Sequence, residues 1–125
     1  MKSRLRNKAL KRVVIAIPHS HTLFWTQTCI AALAKNPPLT DDFRNYYDVE
    51  IVVVNNSPWS PAIRGITDTR LGEHVRVIPN EKPDRNHYTA LDTVGALDLD
   101  YMMAWETDVI ALRPGWLAWF IDQLR

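Results

Sequence analysis

The sequence predicts an α/β protein with a mostly parallel sheet flanked on both faces by helices, and two observations carry that prediction. Short continuous apolar runs rich in β-branched residues recur along the 125 residues, as they do in strands buried on both faces. Between them lie segments whose apolar residues recur at helical spacing, and this alternation implies right-handed crossovers and parallel neighbours. No internal repeat or low-complexity segment interrupts the pattern, and the length suits a single domain over 1–125.

Val13, Val14, Ile15, Ala16 and Ile17 form the first run, closed by Pro18. Ser20 or Thr22 can then cap a helix whose stripe is Leu23, Thr26, Ile30, Leu33 and Ala34, with Asn36, Pro37 and Pro38 ending it. The polar and aromatic segment from Leu39 to Asp48 has no clear period and reads as a loop. Ile51, Val52, Val53 and Val54 make a second strand, followed by the turn formers Asn55, Asn56, Ser57 and Pro58. A short helix is expected near Pro61, where proline suits a first turn. Val75, Val77 and Ile78 supply a third strand before Pro79 and Asn80. Tyr88, Leu91, Val94 and Leu97 recur at helical spacing, and Tyr101 to Trp105 form a fourth strand. From Pro114 to Arg125, the residues Leu117, Phe120, Ile121 and Leu124 line one face of an amphipathic helix that opens on proline.

Hydrophobic residues make up 46% and charged residues 23% of the chain, a composition that folds rather than stays disordered. Its net charge of +1 provides no global field for nucleic acid or a membrane surface. The basic stretch Lys2, Arg4, Arg6, Lys8, Lys11 and Arg12 is the exception, and it reads as a solvated tail over 1–11 that touches membranes peripherally if at all. Cys29 is the lone cysteine, so no internal disulfide forms and a reduced, cytoplasmic setting is expected. The apolar run after the basic stretch is too short for a signal peptide, and none approaches membrane-spanning length.

In parallel sheets ligands bind outside the carboxyl ends of the strands, which directs attention to the residues after Ile17, Val54, Ile78 and Trp105. Beyond the fourth strand stand Glu106, Thr107 and Asp108. Two carboxylates one residue apart repel unless a positive charge lies near them. A hard cation such as Mg2+ or Mn2+ is the natural candidate, because it accepts carboxylate oxygens together with those of a diphosphate. Alternatively, Asp108 merely starts a turn and Glu106 faces solvent. His19 and His21 flank Ser20 after the first strand, yet no further ligands stand at zinc-site spacing.

The order of elements and loops from Val13 to Leu124 resembles family 2 glycosyltransferases of the GT-A fold, a Rossmann-like nucleotide-diphospho-sugar transferase architecture. Ile17 and Pro18 match the strand end that opens the family's nucleotide site, and Val54, Asn55, Asn56 and Ser57 match the end of its second strand. Glu106, Thr107 and Asp108 ahead of Pro114, Gly115, Trp116 and Leu117 match its acidic signature and the helix start that follows, the most specific correspondence. The resemblance implies that Pro18, His19 and His21 line the base and ribose and that Asn55 contacts one of them. It also implies that Arg85 lies near the diphosphate, that Glu106 faces the ribose or metal, and that Asp108 ligates the metal. Asn55 stands where the family has an acid, and Glu106 where it has aspartate. The chain then corresponds to the donor half, truncated before the acceptor half, with the catalytic base of inverting members beyond it.

The expectation is therefore a metal-dependent transferase that takes a sugar from a UDP- or GDP-linked donor with Mn2+ or Mg2+ and passes it to an unidentified acceptor. A non-catalytic nucleotide-sugar-binding or assembly module is the alternative, and phosphate chemistry on another doubly wound fold is a third, without a Gly-rich loop to support it. Trp105, Trp116 and Trp119 cluster near the acids, with Trp105 read as core. An apolar face at Leu117, Phe120, Ile121 and Leu124, if exposed, points to a homodimer or to a continuation that covers it.

Overall fold

The structure, a computed structural model, describes residues 9–19, 23–38, 46–56, 74–80 and 87–124, without the side chains of 23, 74 and 87–89. Among these residues the elements are β1 (Lys11–His19), α1 (Leu23–Lys35), β2 (Tyr47–Asn55), β3 (His74–Pro79), α2 (His87–Gly95), β4 (Tyr101–Ala104) and α3 (Trp116–Gln123). The possible helix caps Ser20 and Thr22 and the short helix expected near Pro61 lie outside the described residues.

All strand pairs are parallel, and the order across the sheet is β3-β2-β1-β4. The chain steps in one direction from β1 to β3, then returns to the opposite flank for β4. Right-handed crossovers place the helices of two such opposed steps on opposite faces. The packing follows that rule. Cys29, Ile30 and Leu33 of α1 cluster with Val13, Ile15, Ile17, Ile51 and Val53 on one face. Ala90 and Val94 of α2 cluster with Val14, Ala16, Val52 and Val54 on the other. Successive residues of β1 and β2 thus serve alternate cores, which is why both strands read as unbroken apolar runs. Burying a side chain such as Ile15 or Ile51, each without exposed surface, contributes roughly 2 kcal/mol.

Several boundaries differ from the sequence reading, for physical reasons. β2 starts at Tyr47 rather than Ile51, because Tyr47 and Val49 enter the α1-side core while Asp48 and Glu50 are buried on the other side. Lys11 and Arg12 belong to β1 rather than to a solvated tail. Arg12 is buried and its guanidinium hydrogen-bonds Glu50 at 2.5 Å, while Arg76 of β3 pairs with the other oxygen of the same carboxylate. Lys2, Arg4, Arg6 and Lys8 lie outside the described residues. On α1 the buried stripe is Thr26, Cys29, Ile30 and Leu33, leaving Ala34 exposed.

α3 begins at Trp116 rather than at Pro114, with Gly115 in the left-handed region at φ 74°. Its first turn is clasped to the end of α1. Gly115 N donates to Pro37 O at 2.8 Å and Leu117 N to Pro38 O at 3.0 Å, so two amides that a helix start leaves open find partners. The Trp116 indole donates to Asn36 O at 3.2 Å, and the Asn36 amide donates to Ala111 O at 3.0 Å. The expected apolar face divides: Leu117 and Ile121 enter the α1-side core, whereas Phe120, against the Trp119 ring, and Leu124 are exposed. Among the described residues no helix is long and apolar enough to cross a membrane.

Candidate functional site

The strand sequence changes direction between β1 and β4, and the hydrogen-bond pattern shows where the pairing of these two strands ends at the carboxyl edge of the sheet. Even-numbered residues of β1 face β4 with their backbone groups: Asp100 N donates to Arg12 O at 2.9 Å, and Trp105 N donates to Ala16 O at 2.8 Å. His19, by contrast, accepts from Asn56 N on the β2 side at 2.9 Å. The next even residue after Ala16 is Pro18, which has no N–H to offer. β4 pairs with β1 only as far as Ala104 opposite Ala16, so the two chains part at the proline. The point where strand order reverses is where open α/β sheets bind ligands.

The acidic residues follow the end of β4 at that part of the edge. Glu106 O accepts from Val109 N at 3.1 Å, closing a turn with Glu106 at its first position and Asp108 at its third. Both carboxylate residues are exposed. Trp105, buried just ahead of the turn, holds it from below. Its backbone extends the β4 ladder onto Ala16, and its indole Nε1 donates to Val109 O at 3.2 Å. Its ring packs on Trp116, with centroids 4.6 Å apart.

Cys29 lies under the same region. Burial pushes its thiol up to about 11, a side-chain hydrogen bond with Trp105 offsets part of that rise, and the negative charge of Asp108 adds to it. The thiol is therefore a neutral core group at physiological pH rather than a nucleophile.

At the same edge, β1 and β2 contribute amide and imidazole groups. His19 is fully buried, with Nδ1 hydrogen-bonded to Thr26 Oγ1 at 2.6 Å, so its ring ties the strand end to α1. Asn55 and Asn56 are also buried. Asn56 Oδ1 accepts from Asn80 Nδ2 at 2.5 Å, and Asn80 Oδ1 accepts from Thr93 Oγ1 at 3.3 Å. Among the described residues the Nδ2 donor of Asn56 has no partner although it is buried. A donor left open in this way is uncommon in a folded protein and is suited to a ligand acceptor.

Of the residues singled out from the sequence, Pro18, His19, Asn55, Asn56, Glu106 and Asp108 all lie at this edge. His21, Ser57 and Arg85 lie outside the described residues. Among the described residues no three His, Cys, Asp or Glu side chains converge as a metal site. The sequence reading missed Asn80, Thr93 and the clamp that Trp105 makes on the turn. Asn80 carried a legible signal, since it follows the third strand as Asn55 and Asn56 follow the second. Compared with known proteins, the chain matches no family model, no curated protein and no solved structure.

Proposed function

We propose that this chain binds a nucleoside-diphosphate sugar and a divalent metal for glycosyl transfer, as the donor half of a GT-A-type fold similar to family 2 glycosyltransferases. The observation that carries the reading is the acidic turn at the carboxyl edge, where Pro18 parts β1 from β4.

The donor set fits the metal. Glu106 and Asp108 present hard oxygen atoms from an anchored and exposed turn, which suits Mn2+ or Mg2+ better than a softer ion. Two carboxylates leave most of the coordination sphere to water and substrate phosphate, the usual arrangement for magnesium with nucleotides. A bound metal would supply Lewis-acid neutralisation of the charge that develops on the departing diphosphate.

The remaining groups bind and orient. Asn56 offers its open Nδ2 donor to a carbonyl or hydroxyl of the base or ribose, and Asn80 fixes the amide that presents it. Asn55 can accept through its side-chain oxygen where an acid would otherwise stand. Pro18 and His19 form the floor, the imidazole being held by Thr26 rather than presented to the donor.

Isothermal titration with UDP and GDP, in the presence and absence of Mn2+, tests the proposal. Metal-dependent nucleotide binding is expected, and Asp108→Ala should abolish it. Binding that survives that substitution unchanged removes the metal assignment. Release of sugar or transfer from a UDP- or GDP-linked donor separates an enzyme from a binding module that lacks turnover.

A further inference from the structure

We infer that Trp105 is a positioning residue for the acidic turn, its indole N–H setting the geometry in which Glu106 and Asp108 meet a cation; the metal half of this inference rests on the function proposed above.

Glu106 to Ile110 run between two anchors, Trp105 at one end and Ala111 at the other, and Ala111 is fixed by the Asn36 amide at 3.0 Å. Within that span the described backbone bond is the one from Val109 N to Glu106 O. Thr107 is partly exposed, and Glu106, Asp108, Val109 and Ile110 are exposed. Packing therefore does little to restrain them.

Trp105 grips this span across its closing residue. Val109 donates through its amide to Glu106 and accepts through its carbonyl from the Trp105 indole at 3.2 Å, so the residue that shuts the turn is itself tied to the core. The indole can bear that load because its ring is buried and packed against Trp116, and its own backbone continues the β4 ladder. A contact to the supporting shell of a metal site acts on affinity by limiting the arrangements its ligands can sample.

The neighbouring tryptophan supplies a matched control. Trp116 also donates its indole N–H to a backbone carbonyl, Asn36 O, at the same 3.2 Å, but that bond clasps α3 to α1 and reaches the turn only at second hand, through Asn36 and Ala111. Trp105→Phe and Trp116→Phe thus each remove one buried indole donor and retain an aromatic ring. A role confined to supporting the fold lowers global stability in both variants, whereas a role in setting the turn moves Val109 exchange and Mn2+ affinity in Trp105→Phe alone.

The experiment compares the two variants with the wild-type chain in two ways: Mn2+ affinity in the presence of UDP, and hydrogen exchange at the Glu106 to Val109 amides followed by NMR. Trp105→Phe should weaken Mn2+ binding by roughly tenfold and speed exchange at Val109, while Trp116→Phe leaves both near wild type. Equal effects of the two variants on either readout overturn the positioning role. Unchanged exchange at Val109 in Trp105→Phe overturns it whatever the metal does. A wild-type chain that binds no Mn2+ with UDP overturns the proposed function and the metal half of this inference, and the exchange comparison still decides whether Trp105 sets the turn.

Discussion

The two ends of the parallel sheet handle polar groups in opposite ways. At the amino end, Arg12, Glu50 and Arg76 are drawn below the surface of the α2 face and paired with one another. At the carboxyl end, Glu106 and Asp108 are exposed, and Asn56 keeps a buried donor without a partner among the described residues. Charges enclosed in ion pairs with one another present no exposed group to a ligand, even though Arg12 Nε is left without a hydrogen-bond partner among the described residues. An exposed acidic turn and a buried amide donor at the carboxyl end are accessible in a way that the amino-end charges are not.

The difference can be broken most severely at the amino end. Glu50→Ala leaves two guanidinium groups close together without their carboxylate, and a loss of about 3–5 kcal/mol is expected in denaturant unfolding. Replacing all three charges together, as Arg12→Met, Glu50→Leu and Arg76→Met, should restore most of that stability, which would show that the cluster acts by mutual satisfaction rather than by attraction to anything else.

Next in size is the alkaline response of Cys29, whose pKa rises from 9.0 to about 11 in the folded protein, mainly through burial. The fold favours the neutral thiol, so this contribution is intact below about pH 9 and is lost as the pH rises toward about 11. Cys29→Ala should flatten the alkaline fall in stability by on the order of 2 kcal/mol, measured as unfolding midpoints across that range.

Smaller again is Asn80→Ala, which removes the donor to Asn56 Oδ1 and the acceptor for Thr93 Oγ1 and should cost about 1–2 kcal/mol. The smallest effect on stability is expected at the acidic turn. Asp108→Ala should move the unfolding free energy by no more than about 0.5 kcal/mol while removing metal-dependent nucleotide binding. A large loss of stability in Asp108→Ala would place the acidic turn with the amino-end cluster as a structural device.

Much of the sheet was legible because the residues that build it obey one rule at a time. Val13 to Ile17 and Ile51 to Val54 are apolar on both faces, and proline or asparagine ends each run. The first half of β2 was hidden by Asp48 and Glu50, which look like loop residues until arginines from the strands on either side, far away in sequence, are seen to account for Glu50. The α3 face misled for a related reason. Its apolar residues follow a single helical stripe, yet the stripe exceeds what the core accommodates, so Phe120 and Leu124 remain outside. At the candidate site, the acid pair was visible as spacing, whereas the clamp by Trp105 depends on a side chain reaching over the turn to Val109, which no local pattern encodes.

The sheet order also has a consequence for a chain still being synthesised. β1 is central, with β2 on one side and β4 on the other, and β4 is the last of the four strands to emerge. Until Tyr101–Ala104 leave the ribosome, β1 presents one row of bare amides and carbonyls on its β4 side. That row is a template on which another nascent chain can pair. The row stays uncovered between the emergence of residue 55 and that of residue 104, and slowing translation over that interval should raise the aggregated fraction.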